Sequence, residues 1–217
     1  MTVQKLLERK FAVPAVVLVI LVVWLLLPSK YSRVRNLESN GTNIIAFGDS
    51  LTAGYGAAGG EDYPSGLAKL IGREVINAGV SGDTTDAALA RLDADVLQHS
   101  PRIVIVGLGG NDFLRGAPIA STEANLRAIV KQIQASGAMV VLLGFNFPSL
   151  TASYGKMYAR VASDEKCLLI PDLLDGIIGN PSLKSDEIHP NARGYALMAE
   201  RVAGPCGKLI RKADATR

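Results

Sequence analysis

Short apolar runs that alternate with longer amphipathic segments constrain the fold of this chain most strongly. Five runs are rich in β-branched residues, as strands buried on both faces of a parallel sheet are; they lie at residues 44–47, 75–76, 103–106, 140–143 and 168–170. We predict helices between and after them, at 64–71, 85–98, 121–136, 154–164 and 191–209. This alternation predicts an α/β fold, a three-layer α/β/α sandwich on a parallel five-stranded sheet.

Glycine-rich polar stretches follow the first three predicted strands directly. Gly48-Asp49-Ser50 follows the first strand, residues 79–82 follow the second, and residues 109–112 follow the third. In open parallel sheets, ligands bind outside the carboxyl ends of the strands. We therefore expect a functional site at that edge of the sheet.

The first thirty residues differ in character from the rest of the chain. Residues 11–29 carry no charge and are dense in Val, Leu and Ile, with Trp24 near their far end. A helix of that length spans about 28 Å, close to the hydrocarbon thickness of a bilayer. No small residues suited to signal-peptide cleavage precede Pro28. We predict an N-terminal transmembrane helix as an uncleaved anchor at 1–30, a polar linker at 31–42 and one domain at 43–217.

Charge limits the classes of partner. The formal net charge is +3 and there is no long basic run, so we expect no nucleic-acid binding. Basic residues concentrate at the two ends: Lys5, Arg9 and Lys10, then Lys30, Arg33 and Arg35, and finally Lys208, Arg211, Lys212 and Arg217. Because cations flank the apolar run on both sides, the positive-inside rule does not decide its orientation. The terminal clusters are either solvated ends or contacts for anionic headgroups.

The motifs of metal and cofactor proteins are missing from the sequence. Cys167 and Cys206 form no C-x-x-C pair and lie near no histidine. They are either buried thiols or, in an oxidising compartment, a disulfide. Residues 54–60 are glycine-rich but lack the G-K-[ST] of a phosphate loop, and Asp112 stands where a dinucleotide fingerprint needs its third glycine. We expect no metal and no cofactor.

Histidine is scarce, which narrows the choice of a general base. Only His99 and His189 are available, and imidazole is the usual base for a serine nucleophile. His99 ends a predicted helix before Ser100-Pro101, where a surface position is the default. His189 lies in a loop before the last helix, and Asp186 can turn back to accept its Nδ1–H. The alternative is a capping loop with an incidental histidine.

Ser50 leaves the first predicted strand in the sequence Gly-Asp-Ser-Leu-Thr. This is not the G-x-S-x-G elbow of α/β-hydrolases, so that fold family is disfavoured. A lone serine after a strand is ordinarily a helix N-cap. The case for a nucleophile depends on the other loops at the same edge.

Four stretches together resemble one family. They are residues 45–55 (IAFGDSLTAGY), 75–85 (VINAGVSGDTT), 109–112 (GGND) and 186–190 (DEIHP). In this order and spacing they are similar to the blocks of the SGNH, or GDSL, hydrolases, and in particular to the bacterial multifunctional esterases with thioesterase, lysophospholipase and arylesterase activities. The resemblance covers residues 43–202, and it implies a flavodoxin-like SGNH fold.

The resemblance also implies a catalytic site. Ser50 would be the nucleophile and His189 its base, oriented by Asp186. The oxyanion hole would consist of the backbone N–H groups of Ser50 and Gly82 and the side-chain amide of Asn111. Such donors are already aimed at the charge that develops in the transition state. Two further aspartates, Asp49 and Asp112, are expected to brace the loops by hydrogen bonds rather than to react.

One region departs from the family pattern. Residues 144–184, which should help to line the acyl pocket, look shorter than in the related thioesterases, so substrate size is not carried over. Phe145, Phe147, Leu150 and Tyr154 could form an apolar acyl wall, and the alternative is that they belong to the core.

Three functions remain open from the sequence. The first is a serine esterase that cleaves carboxylic esters or thioesters of small to medium acyl groups, lipids included, through an acyl-enzyme on Ser50. The second is an O-acetyl esterase acting on envelope polysaccharide, and the third is a non-catalytic binding module on the same fold. We expect a single-pass protein of a bacterial inner membrane with a periplasmic hydrolase domain. The sequence does not predict an oligomeric state.

Overall fold

One parallel sheet forms the centre of the domain. The computed structural model describes residues 29–146 and 152–217. In these residues the strands are β1 Asn43–Gly48, β2 Val75–Gly79, β3 Pro101–Gly107, β4 Met139–Leu143 and β5 Leu168–Ile170. Their order is β2-β1-β3-β4-β5 and every pairing is parallel. The prediction of a five-stranded parallel sheet is confirmed.

Helices cover both faces of the sheet. They are α1 Ser50–Ala53, α2 Tyr63–Ile71, α3 Thr85–Asp95, α4 Gly110–Leu114, α5 Ile119–Ala135, α6 Ala152–Asp164 and α7 Ala192–Asp214, with short 3-10 helices at Lys30–Arg33, Leu97–His99 and Pro181–Leu183. Helices α2 and α7 pack on one face, and α3, α5 and α6 pack on the other. The molecule is therefore the expected three-layer sandwich.

Alternating side chains of each strand enter the two cores. In β3, Ile103 and Ile105 pack toward α2 and α7, whereas Val104 and Val106 pack toward α3 and α5. All four side chains are fully buried. Because both faces are covered, the strands read as continuous apolar runs rather than as an alternation of apolar and polar residues.

Four predicted helix boundaries differ from the observed ones by two or more residues, and one of them is the start of α6, observed at Ala152 rather than 154. The helix predicted at 85–98 ends at Asp95 and is followed by the separate 3-10 helix. The helix predicted to begin at 121 begins at Ile119, after Pro118. The last helix, predicted to end at 209, continues to Asp214, because Ile210 and Ala213 are also buried against the sheet layer.

The segment before β1, predicted as a linker, lies against the domain. The backbone N–H of Arg35 donates to the carbonyl of Lys166 at 3.0 Å, and the Asn36 side-chain amide donates to the Ala138 carbonyl at 2.9 Å. Val34 is buried. Lys166 and Ala138 precede β5 and β4, so this segment follows the edge of the sheet at which the strands begin.

The predicted membrane anchor falls mainly on residues 1–28, which lie outside the described residues. Within 29–146 and 152–217, no helix has the length and apolar character needed to cross a bilayer. The anchor and the limits of the domain stay predictions from the sequence.

The two cysteines are free thiols. Cys206 lies on α7 in the core of one face, and Cys167 packs against the core of the other face. The sheet separates them, so the disulfide alternative is wrong. Burial raises the pKa of both thiols to about 12, as expected for thiols that serve as small apolar side chains.

We predict that Gly79→Ala destabilises the fold, because the end of β2 lies directly against the backbone of α1. A Cβ at Gly79 would lie 2.2 Å from the Ala53 nitrogen. Overpacking of this kind typically costs about 1–3 kcal/mol. Urea denaturation measures the loss. The control is Gly59→Ala, since a Cβ at Gly59 has nothing within 4 Å; equal midpoints for the two variants would contradict the predicted contact.

Candidate active site

Four loops meet at the edge of the sheet where the strands end. Ser50 begins α1 immediately after β1, and Asp49 caps that helix by accepting the Leu51 N–H at 3.0 Å. Asn111 lies on α4 after β3. His189 comes from the loop that leads into α7. Parallel strands bring these sequence-distant loops together, as expected from the polar stretches at the strand ends.

A chain of two hydrogen bonds connects Ser50, His189 and Asp186. Ser50 Oγ lies 3.0 Å from His189 Nε2, and His189 Nδ1 lies 2.7 Å from Asp186 Oδ2. With the Nδ1 proton donated to the carboxylate, Nε2 is the acceptor for the serine hydroxyl. This arrangement allows His189 to take a proton from Ser50.

Local backbone bonds hold the Asp186 carboxylate in place. Its Oδ1 accepts the backbone N–H groups of Ile188 at 2.9 Å and His189 at 2.8 Å. These bonds, the Ile188 N–H foremost, together with the imidazole lower the pKa of Asp186 to about 2. The turn is closed by the Ser185 N–H donating to the His189 carbonyl at 2.9 Å. The three-residue spacing therefore produces an ionised carboxylate already aimed at the imidazole.

The Tyr55 ring lies against the His189 imidazole, a contact that the sequence pattern does not predict. Its ring centroid lies 4.5 Å from that of His189, at an interplanar angle of 48°. Its carbonyl accepts the Tyr195 hydroxyl of α7 at 2.8 Å, which fixes the backbone there. The only signal in the sequence is an aromatic residue five positions after Ser50, just beyond the Gly54 that ends α1.

The three predicted oxyanion donors lie on adjacent loops. Asn111 Nδ2 donates to the Asp83 carbonyl at 2.9 Å and lies 3.4 Å from Asp49 Oδ2. One amide hydrogen is therefore held by the loop, while the other makes only a long contact. Gly82 has φ +86°, a conformation that favours glycine, and its carbonyl accepts Arg115 Nη2 at 2.9 Å.

Two buried aspartates brace these loops by hydrogen bonds, as expected. Asp112 accepts the Thr85 N–H at 2.9 Å, the Thr85 hydroxyl at 2.6 Å and the Thr122 hydroxyl at 3.3 Å. Asp49 accepts the Leu51 N–H and makes a long contact to the Asn111 amide. Burial outweighs these bonds and raises the pKa of Asp49 to about 6.

Arg91 on α3 is a second residue that sequence reasoning missed. Its guanidinium donates to the carbonyls of Gly48 and Ala78, each at 3.0 Å, and to the Asp83 carboxylate at 2.6 Å. It also lies 4.4 Å from the Phe47 ring centroid. The ends of β1 and β2 and the loop that carries Gly82 are thus tied together by one side chain. An arginine in an amphipathic helix looks like a solvated residue in the sequence.

An apolar cleft of about 410 Å³ opens beside Ser50, His189 and Asn111. Its wall consists of apolar side chains from several loops, namely Leu51, Phe113, Leu114, Phe145, Leu174, Ile178 and Ile188. Most of these residues were not predicted, because they come from segments far apart in the chain.

The four predicted wall residues have different positions. Phe145 lines the cleft. Tyr154 does not line it: it is buried and stacks on Phe145 at 5.4 Å, because the first turn of α6 faces the aromatic core. Phe147 and Leu150 lie outside the described residues.

The second histidine, His99, lies outside this site. His99 is exposed at the end of a 3-10 helix, with Nε2 3.1 Å from the Ala94 carbonyl, which is the surface position expected for it. Among the described residues, no group of three or more His, Cys, Asp or Glu side chains could hold a metal ion.

We predict that Asp49→Asn removes one contribution to the pH dependence of the free energy of unfolding. Below about pH 4 both the folded and the unfolded states hold the proton. Between pH 4 and 6 the unfolded chain ionises first, so stability falls as pH rises, by about 3 kcal/mol for a pKa of about 6 against 3.8. Relative to the unaltered chain, Asp49→Asn should therefore gain about that much stability between pH 4 and pH 8. Urea titrations at both pH values measure it.

Two features make the comparison specific. All other titrating groups, including Asp186, are present in both proteins and cancel in the difference. Asp86→Asn, on the exposed side of α3, controls for the loss of one carboxylate. A stability difference that is the same at pH 4 and pH 8 would show that Asp49 is not held protonated in the fold.

We predict that the Tyr55 ring stabilises the imidazolium that forms on His189 during a proton transfer from Ser50. A cation over an aromatic face is worth about 0.5–1 kcal/mol at an exposed site, so Tyr55→Ala should lower the rate of acyl transfer about 2- to 5-fold, whereas Tyr55→Phe retains it. Steady-state kcat with an aryl ester measures both. Equal losses in the two variants would assign the effect to the hydroxyl instead of the ring.

Comparison with known proteins agrees with this geometry. The model of the GDSL-like lipase/acylhydrolase family matches residues 46–197. The chain is 34% identical to Esterase TesA of Pseudomonas aeruginosa over 170 residues, 73% of this chain and 85% of that protein. It is also 34% identical to Thioesterase 1/protease 1/lysophospholipase L1 of Escherichia coli K12 over 178 residues, 77% of this chain and 84% of that protein.

A solved structure extends the likeness to three dimensions. The crystal structure of TesA superimposes with a TM-score of 0.74 at 32% sequence identity, covering 77% of this chain and 99% of that one. The matched region contains Ser50, Asn111, Asp186 and His189. By its sequence and its fold, this chain belongs to the GDSL-like lipase/acylhydrolase family.

Proposed function

We propose that this chain hydrolyses carboxylic esters or thioesters of small to medium acyl groups through an acyl-enzyme on Ser50. As a GDSL-family acylhydrolase it is a serine ester hydrolase. The observation that carries the proposal is the hydrogen-bonded chain Ser50–His189–Asp186 at the mouth of an apolar cleft. The relatives' printed names, esterase and thioesterase, support the same chemistry.

In the acylation step, Ser50 Oγ attacks the carbonyl carbon while its proton passes to His189 Nε2. The Asp186 carboxylate, whose pKa is lowered to about 2, stays ionised and stabilises the imidazolium. His189 then returns the proton to the departing alkoxide or thiolate, and the ester C–O or thioester C–S bond breaks. The acyl group remains on Ser50.

The oxyanion of the tetrahedral intermediate needs donors that are already in place. The backbone N–H groups of Ser50 and Gly82 and the Asn111 amide are the proposed set. Asn111 suits this role because the Asp83 carbonyl fixes one amide hydrogen and leaves the other with a long contact. Removing one such donor typically lowers kcat about 100- to 1000-fold.

Deacylation repeats the same steps with water. His189 Nε2 accepts a proton from a water molecule, whose oxygen attacks the acyl-enzyme carbonyl carbon. Collapse of the second tetrahedral intermediate releases the carboxylic acid, and His189 returns its proton to Ser50 Oγ. No group outside the described site is needed for the balance of protons.

The cleft supports an acyl group longer than acetyl. Its wall is apolar, with Phe113, Phe145, Leu174 and Ile178 near the Ser50 hydroxyl, and burying each methylene of an acyl chain is worth about 0.8 kcal/mol. A polysaccharide would instead need polar side chains to orient its sugar rings. The lining therefore favours acyl esters and thioesters over envelope polysaccharide as the substrate.

For the location, we propose that residues 1–30 anchor the chain in a bacterial inner membrane with the hydrolase domain in the periplasm. The support is the uncharged apolar run at 11–29, whose length suits one bilayer crossing.

We predict that the full chain hydrolyses p-nitrophenyl esters with an optimum between butanoyl and decanoyl, and that Ser50→Ala lowers kcat by about 10⁵-fold or more. The rise with chain length should appear in kcat/KM, because the cleft contacts the acyl group. An acetyl-to-palmitoyl series on both proteins measures the two effects together.

The control is Ser121→Ala, an exposed serine on α5, which should leave the series unchanged. Full activity in Ser50→Ala would refute the proposed nucleophile. A steep optimum at acetyl would favour the O-acetyl esterase. A folded chain that neither hydrolyses any ester nor reacts with a fluorophosphonate at Ser50 would indicate a binding module.

A further inference from the structure

Two of the basic clusters, at residues 30–35 and 208–217, lie at one edge of the domain. Helix α7 is capped by Asn191, beside the loop that carries His189, and has 23 residues. Its far end reaches the starts of the strands, where Asp214 pairs with Arg102 of β3 at 2.5 Å and Thr216 donates to the Leu37 carbonyl at 3.4 Å. The last residues of the chain therefore meet the 29–42 segment.

This edge lies opposite the active site. The 29–42 segment contacts residues that precede β3, β4 and β5, through Thr42 to Ser100, Asn36 to Ala138 and Arg35 to Lys166. The catalytic residues follow the ends of the same parallel strands. At 1.5 Å per residue, α7 measures about 34 Å from one edge to the other. We call the edge at which the strands begin the basic edge.

A groove of about 670 Å³ lies on the basic edge between the 29–35 segment, α6 and β5. Four cationic side chains line it, Lys30, Arg33, Arg35 and Lys166, and the described lining contains no carboxylate. None of the four forms an ion pair with a described acidic residue within 4 Å.

The charge of the wider edge has the same sign. Lys208, Arg211, Lys212 and Arg217 lie on the last turns of α7 and just beyond, and Arg211 and Arg217 are exposed. The described carboxylates that share the edge are fewer. Asp214 is paired with Arg73 and Arg102, Asp164 and Glu165, next to Lys166, are paired with Arg127, and Glu38 and Glu74 are exposed. The basic edge is net positive.

The described chain begins beside this groove. Ser29, its first described residue, is the last residue of the uncharged run at 11–29, and the segment after it is bound to the sheet edge by backbone hydrogen bonds. An occupant of the groove must therefore be compatible both with unpaired cations and with an adjoining apolar segment long enough to cross a bilayer. An anionic phospholipid surface meets both conditions.

We propose that the basic edge docks on an anionic bilayer and holds the catalytic cleft about 30 Å away, facing the aqueous phase. The apolar run places the edge at the headgroups, and the cations of the groove bind lipid phosphates. The esters and thioesters that reach Ser50 are then those presented from the aqueous side, whereas acyl chains in the supporting leaflet are out of reach. The substrate part of this inference rests on the proposed hydrolase, and the docking part does not.

The test uses the full chain in vesicles of phosphatidylcholine and phosphatidylglycerol, with an acceptor dye on the lipid. Two single labels report the orientation in a Cys167→Ser background, since Cys206 is buried: Ser163→Cys at the groove and the exposed Leu114→Cys at the cleft rim. Energy transfer should place the label at 163 near the headgroups and the label at 114 about 30 Å farther out. These distances do not depend on activity, so failure of the hydrolase proposal would leave them unchanged.

A matched pair of charge variants tests the cause. Arg33→Gln with Arg35→Gln should lower the docked-to-undocked ratio about 30-fold, since each cation near an anionic surface is worth about 1 kcal/mol. Lys156→Gln with Arg193→Gln removes two exposed cations at the opposite edge and should change nothing. Vesicles without phosphatidylglycerol should lose the fixed orientation.

Four results would overturn the proposal. They are a full chain that does not bind anionic vesicles, a cleft label as close to the lipid as the groove label, the same orientation without anionic lipid, and equal effects of the two charge pairs. The last would indicate a general attraction of the positively charged chain rather than docking through the basic edge.

Discussion

The hydrogen bonds of the Arg91 guanidinium are the interactions that most of the Ser50 edge of the sheet depends on. One planar group bonds the carbonyls that end β1 and β2 and the carboxylate of the loop between β2 and α3. The Gly48 carbonyl, which also accepts the Val80 N–H, and the Ala78 carbonyl are both bound by this group, and the loops carrying Ser50 and Gly82 are held in a fixed relation. Lysine could supply the charge but not three bonds in fixed directions. Arg91 thus fixes the relative positions of the loops that carry Ser50 and Gly82 without itself lining the cleft.

The two aspartates near Ser50 have different pKa values because their burial and their hydrogen-bond donors differ. Asp186 is largely exposed yet receives three donors, and the pKa of its carboxyl falls to about 2. Asp49 is buried with few donors, and the pKa of its carboxyl rises to about 6. The first carboxylate is therefore charged whenever the imidazole needs a partner. The second stabilises the turn at Ser50 through its bond to Leu51, and burial makes it hold its proton to a higher pH than an ordinary carboxyl does.

The sequence could predict the parts of this molecule that depend on local pattern. Buried strands can be predicted because short apolar runs of β-branched residues are typical of them. The pairing of Asp186 with His189 can be predicted because a spacing of three residues allows a turn to bring the two side chains together. Residues whose role depends on tertiary placement could not be read: Arg91 and Tyr55 have no local signature, and the cleft wall comes from five separated segments. The family resemblance, rather than periodicity, supplied Gly82 and Asn111. Helix ends were missed where tertiary contacts decide them, as at the start of α5, where the helix begins at Ile119 and Thr122 in its first turn bonds Asp112.

Three glycines end adjacent strands in register, since Gly48 pairs with Gly79 on one side and Gly107 on the other. Atoms of α1 lie directly above two of them: Thr52 Oγ1 would lie 2.2 Å from a Cβ at Gly48, and the Ala53 nitrogen 2.2 Å from a Cβ at Gly79. The turn that carries Ser50 packs directly on these strand ends, which have no side chains. Its position is therefore fixed by steric contact. For the engineer of a new acyl preference, diversity therefore belongs at the exposed rim, at Leu114 and Ile188. Gly48 and Gly79, beneath the turn that carries Ser50, do not tolerate a side chain. Variants at these positions would lose the folded structure before they gained a new substrate.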